Sequence, residues 1–178
     1  DTADNVLTGR FKVVSQVPPW DPCDRLRRWA PDSGNSDART LVVQTNAAYV
    51  SEGGESFAFA HRSPDKLQAY FGFDNVYENW SAKNALVIDV FNADGSTNAQ
   101  VLMRTGTNWV WHYSAPLTIT NGWNRNLTFP FKSNTWIRAV WNGATTNYDY
   151  YYNVSVSGLE EVQQVFIKFT GYPAEGTN

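Results

Sequence analysis

The sequence predicts an all-β protein, a β-sandwich of the jelly-roll type. Three observations predict it. Short runs rich in Val, Ile, Thr and aromatic residues recur from Phe11 to Phe169. Turn-forming clusters separate them, namely EGGE, NADGS, RTGTN, TNGWN and WNGA. Helical patterning is confined to a turn or two. Regular short strands with hairpin signals are the pattern of sandwiches and jelly rolls.

The elements follow in order. After the polar opening DTADN, Phe11–Val14 is the first expected strand. DPCDRLRRW, ending at Trp29, is the best helical candidate. Leu41–Thr45 and Ser56–His61 flank the EGGE turn. In Leu67–Phe73, Gln68 and Tyr70 alternate with Leu67, Ala69 and Phe71. In Ala85–Asn92, Leu86, Ile88 and Val90 share one side and Asp89 takes the other. A buried unpaired carboxylate is costly, so Asp89 is expected to look outward. In Gln100–Arg104, Val101 and Met103 belong to the core, and Arg104 joins the open surface, expected there beside Asp89. Trp109–Tyr113, Leu117–Thr120, Asn126–Phe131, Trp136–Trp141, Tyr150–Val156 and Gln164–Phe169 complete the strands. Leu159–Val162 reads as one helical turn.

Trp109, Trp111 and Tyr113 stand at alternate positions, so an extended strand puts them on one face. Gly106-Thr107 as the two central residues of a type II′ turn pairs Arg104 with Trp109 and Leu102 with Trp111. Directly paired residues share a face, so all three rings point outward with Arg104. A three-residue loop reverses the assignment and buries both tryptophans.

Composition narrows the function. The 178 residues suit a single domain across 1–178, with ends that read as linker stubs. Aromatics are 15% of the chain and charged residues 17%, with a formal net charge of −3. No Lys/Arg block occurs, which argues against nucleic acid and anionic membranes as partners. No apolar run approaches the ~20 residues of a membrane span. Cys23 is the only cysteine. His61 and His112 lack metal-site spacing, and no nucleophile elbow or phosphate loop appears.

A surface of Trp, Tyr, Arg, Asp, Asn and Gln suits pyranose sugars. Sugar C–H faces stack on rings, and hydroxyls take planar polar partners. The candidates are Trp20, Trp29, Tyr70, Gln68, Trp80, Asp89, Arg104, Trp109, Trp111 and Tyr113. The competing reading for each aromatic is ordinary core packing. A small jelly-roll glycosidase or polysaccharide lyase, using two surface acids, is the enzymatic alternative. A structural sandwich with its aromatics buried is the third. Asp4 and Glu52 are the candidate ligands of a structural calcium ion, because hard cations take carboxylate oxygens.

YVSEGGESFAFA, NWSAKNALVIDVFNADG, RTGTNWVWHYS, NGWNRNLTFPF and VSGLEEVQQVFIKFTGY follow one another in the chain. This series, over residues 48–172, resembles the non-catalytic carbohydrate-binding modules of bacterial plant-cell-wall hydrolases. It is most similar to the β-mannan-binding modules of family 27, then to the β-glucan-binding modules of family 11. The resemblance implies a secreted, calcium-containing jelly roll that binds one glycan chain along a concave face and is linked to a catalytic domain. It implies stacking by solvent-facing tryptophans, with Trp111 and Trp80 at matching positions and Trp20 or Trp29 as a third. The family usually closes with a strand of the form YIDNV. This sequence ends in GYPAEGTN, and only Thr2–Leu7 faintly resembles that strand.

Overall fold

The computed structural model describes residues 29–31, 41–51, 54–59, 68–73, 76–93 and 96–170. Within them the protein is all-β. The strands are β1 (Trp29–Pro31), β2 (Leu41–Gln44), β3 (Ser56–Phe59), β4 (Gln68–Phe73), β5 (Ala85–Asn92) and β6 (Thr97–Thr105). There follow β7 (Val110–Tyr113), β8 (Leu117–Ile119), β9 (Gly122–Pro130), β10 (Trp136–Asn142), β11 (Asn147–Val154) and β12 (Val162–Thr170). One 3-10 turn, Ala47–Tyr49, lies between β2 and β3 and is capped by the Asn46 side chain.

Every expected strand from Leu41 onward has a counterpart among the described residues, and Ala85–Asn92 keeps its expected bounds. The run Phe11–Val14 lies outside the described residues. The helical candidate DPCDRLRRW lies outside the described residues except for Trp29, which stands in β1 and pairs with Phe73. One expectation of helix is corrected. Leu159–Val162 is not a helical turn but a tight turn running into β12. Gly158 at φ +68 sets that turn, and a Cβ there would meet the backbone of Gly106 at 3.0 Å.

The large sheet runs β1-β4-β12-β6-β7-β10-β11, with β8 also paired to β6. β5 and β9 form a second, two-stranded antiparallel sheet. Val101, Met103, Val165 and Phe169 of the large sheet meet Phe129, Leu86, Ile88, Val90 and Leu127 of the small one in one core cluster. Two facing sheets with a shared apolar interior make a β-sandwich. Phe131, Trp136 and Trp80 fill one end of that interior.

Several polar side chains are buried, among them Thr105, Ser114, Gln163 and one imidazole. His112, on β7, is fully buried. Its Nε2 accepts the Ser157 backbone N–H at 3.3 Å. The proton therefore resides on Nδ1, which faces Thr105 Oγ1 at 3.2 Å. That hydroxyl donates to the Ser157 carbonyl at 2.7 Å. Burial pushes the His112 imidazole down to about 4, and the nearby Arg138 guanidinium acts in the same direction. A neutral, bonded imidazole is the form a dry interior tolerates.

Candidate functional site

Alternation on β6, β7, β10, β11 and β12 sends one set of side chains inward and the other set to the outer face of the large sheet. Register defines the outer rows. Gln164, Arg104, Trp111, Ala139 and Tyr150 are successive partners across five strands. Phe166, Leu102, Tyr113 and Ile137 form the neighbouring row. Trp141 pairs with Tyr148 beyond them.

The rings on this face touch. Trp111 stacks on Tyr113, centroids 5.8 Å apart and planes at 27°. It also leans on Phe166 at 5.3 Å. Trp141 meets Tyr148 edge-on at 5.2 Å. Ala139 lies between the two groups and is 1% exposed. Its single methyl leaves room for rings from both sides to approach over it. The Tyr113 phenol is pushed up, first by burial and then by the adjacent Tyr150 and Tyr148. Trp141 is 56% exposed and Tyr150 52%. Trp111 and Tyr113 are half-buried, each with one side covered by its neighbour.

Arg104 is fitted to this surface. Its guanidinium carbon stands 4.1 Å from the Trp111 ring centroid and 5.5 Å from that of Trp109. Such contacts hold a planar cation against aromatic faces. Arg104 Nε is buried without a hydrogen-bond partner.

The hairpin expected at Gly106-Thr107 is longer than a two-residue turn. Thr105 pairs with Val110, Arg104 with Trp111 and Met103 with His112. Four residues, Gly106 to Trp109, make the loop, and Trp109 sits in it at φ +53. The register moves by two residues, so the outward side is preserved for Trp111 and Tyr113. The reason lies far away in sequence. Gly106 N–H donates to the Glu161 carbonyl at 2.8 Å, and Gln163 Nε2 donates to the Gly106 carbonyl at 2.7 Å. Trp109 is still exposed, at 42%.

Other expected site residues fall elsewhere. Trp80 is 5% exposed and Trp29 6%, so neither is a solvent-facing stacking residue. Trp80 stacks on Phe131 at 5.9 Å and donates its indole N–H to Glu78 at 2.9 Å. Trp29 packs edge-on against Phe57 at 6.2 Å. Asp89 does not share a surface with Arg104. It lies on β5, in the other sheet, where it accepts the Asn126 N–H at 2.7 Å and faces Arg125 at 3.4 Å. Leu86, Ile88 and Val90 do face the core, so Asp89 points away from it on the opposite side of the sandwich. Register places Tyr70 opposite Lys168 and Gln68 opposite Thr170. Trp20, Asp4 and Glu52 lie outside the described residues. Among the described residues no group of three or more His, Cys, Asp or Glu is placed to hold a metal.

Trp141, Tyr148 and Tyr150 join the candidate surface, and sequence reasoning missed them. The signal was present. WNGATTNY is a hairpin in which Trp141 and Tyr148 stand equally far from the four-residue turn, and directly paired residues share a face.

Fold and face together define a class: a β-sandwich with a solvent-facing aromatic surface on its larger sheet. A scan against protein-family models, a search of curated proteins and a search of solved structures each found no match.

Proposed function

We propose that this protein is a non-catalytic polysaccharide-binding module that takes one glycan chain onto the outer face of its large sheet. The observation behind the proposal is the ring surface of half-buried Trp111, Tyr113 and Tyr148 with exposed Trp141 and Tyr150. Flat rings and polar edges are what a pyranose chain needs. Among the described residues the indole N–H groups of Trp111 and Trp141 have no hydrogen-bond acceptor, which suits them to sugar hydroxyls. β-Mannan is the first ligand and β-glucan the second, on the resemblance described above. That reading brings with it jelly-roll connectivity, secretion and a linked hydrolase whose local substrate concentration the module raises. It also brings a structural calcium ion with Asp4 and Glu52 among its ligands. Chelation is then expected to lower Tm and leave room-temperature affinity nearly unchanged.

The test is titration with manno- and cello-oligosaccharides, followed by tryptophan fluorescence. A saturable change, with no reducing sugar released from mannan or glucan, is expected. Sustained release of reducing ends would show a glycosidase instead. No response to any oligosaccharide would leave a purely structural sandwich.

A further inference from the structure

The outer face has a charge that the chain as a whole does not. The protein is acidic, with a formal net charge of −3. Yet the outer rows of the large sheet contain two cations and no acid. On β12 they hold Gln164, Phe166, Lys168 and Thr170, and on β6 Asn98, Gln100, Leu102 and Arg104. On β7, β10 and β11 they hold Trp111, Tyr113, Ile137, Ala139, Trp141, Tyr148 and Tyr150. The register partners of β12 on β4 in these rows are Gln68, Tyr70 and Gly72, which are not acids either.

Neither cation has a counter-ion among the described residues. The ion pair resolved among the described residues is Arg125–Asp89, on the other side of the sandwich. Among the described residues Arg104 has no hydrogen-bond partner, and its Nε is buried against the rings. An arginine held against two indoles, with no hydrogen bond to a described residue, is suited to fork onto a planar anion. Lys168 lies four residues away in register on the adjoining strand, roughly 13 Å along the sheet.

We infer that the glycan bound on this face contains carboxylate-bearing sugars, uronic acid units, one of them docking on Arg104 beside the Trp111 ring. The inference rests on the proposed glycan-binding function and refines its ligand. The sugar ring stacks on Trp111 and Tyr113. Its carboxylate takes two parallel N–H bonds from the Arg104 guanidinium. Lys168 meets a further carboxylate as a point charge. A neutral mannan or glucan uses the rings but leaves both cations unpaired.

The test pairs acidic oligosaccharides with their carboxyl-reduced neutral forms. Suitable probes are oligogalacturonate, oligomannuronate and a glucuronate-substituted xylan fragment. Calorimetry at low and high salt reads the affinity of the intact protein. At least one acidic probe is expected to bind tenfold or more tighter than its reduced form at low salt. That preference is expected to shrink in high salt. It is also expected to vanish in Arg104→Gln and to weaken in Lys168→Gln, with unchanged Tm in both. Equal affinity for every acidic probe and its reduced form overturns the inference, while Trp111-dependent neutral binding leaves the proposed function standing. A preference that survives Arg104→Gln in a folded variant also overturns it. No binding of any glycan, acidic or neutral, removes both.

Discussion

Two tryptophan clusters lie on the two sides of the same large sheet, and they differ in what their polar edges do. Inside, Trp136 is fully buried and donates its indole N–H to the Pro130 carbonyl at 2.8 Å. Trp80 donates to Glu78. Phe131 sits between them, 5.9 Å from one ring and 6.3 Å from the other. Outside, Trp111 and Trp141 form equally close ring contacts, but among the described residues their N–H groups meet no acceptor. A buried indole must have its hydrogen bond, because desolvating the donor without one is costly. An indole whose donor is left to solvent is suited to a partner that arrives later. The contrast separates the buried aromatics from the candidate binding aromatics better than ring count does.

The contrast can be broken first at its buried end. Trp136→Ala is expected to lose about 3–5 kcal/mol of stability, the scale of deleting a large core aromatic. Chemical denaturation measures it. A loss under 1 kcal/mol would mean that the ring is not part of a packed interior.

The next effect concerns the buried polar group beneath the outer rings. The folded state holds His112 near 4, below the ordinary imidazole value of 6.5. The unfolded chain therefore binds more protons between these values, and stability falls as pH drops through that window. The expected loss from pH 6.5 to pH 4 is roughly 3 kcal/mol, from ~1.36 kcal/mol for each pKa unit. Denaturation curves across this range, in the parent and in His112→Gln, isolate the contribution. The same slope in both proteins would assign the pH dependence to other groups.

Trp111→Ala removes the central outer ring. It is expected to weaken glycan binding by ~1–3 kcal/mol, the scale of a hot-spot aromatic, with little change in stability. Unfolding of this variant would move Trp111 to the structural cluster.

Asp89→Ala gives the smallest effect. Its pair with Arg125 is solvent-accessible, so a stability change of ~0–1 kcal/mol is expected, with unaltered affinity. A tenfold loss of affinity would put a second binding surface on the β5–β9 sheet.

The fold was legible because period-2 alternation and turn residues are local properties. Leu86, Ile88 and Val90 needed only their neighbour Asp89 to be oriented. The outward side of Trp111 was legible by parity, which survives a two-residue change of register. The turn itself was not, because Glu161 and Gln163 hold Gly106 from more than fifty positions away. Trp80 and Trp29 were misplaced for a related reason. They stand in or beside connections, where no alternation assigns a face, and long-range packing turned both rings inward. Asp89 and Arg104 each alternate outward as expected. Alternation could not say that β5 and β6 belong to different sheets, so their outward sides are opposite sides of the molecule.

The central claim is that the outer aromatics form a glycan platform. Affinity electrophoresis of the parent, Trp111→Ala and Trp141→Ala through gels holding soluble mannan, glucan or polyuronate tests it most directly. The parent is expected to be retarded by at least one polysaccharide, and both variants to migrate nearly as in the empty gel while melting like the parent. Equal retardation of all three proteins, or free migration of the parent in every gel, would contradict the account.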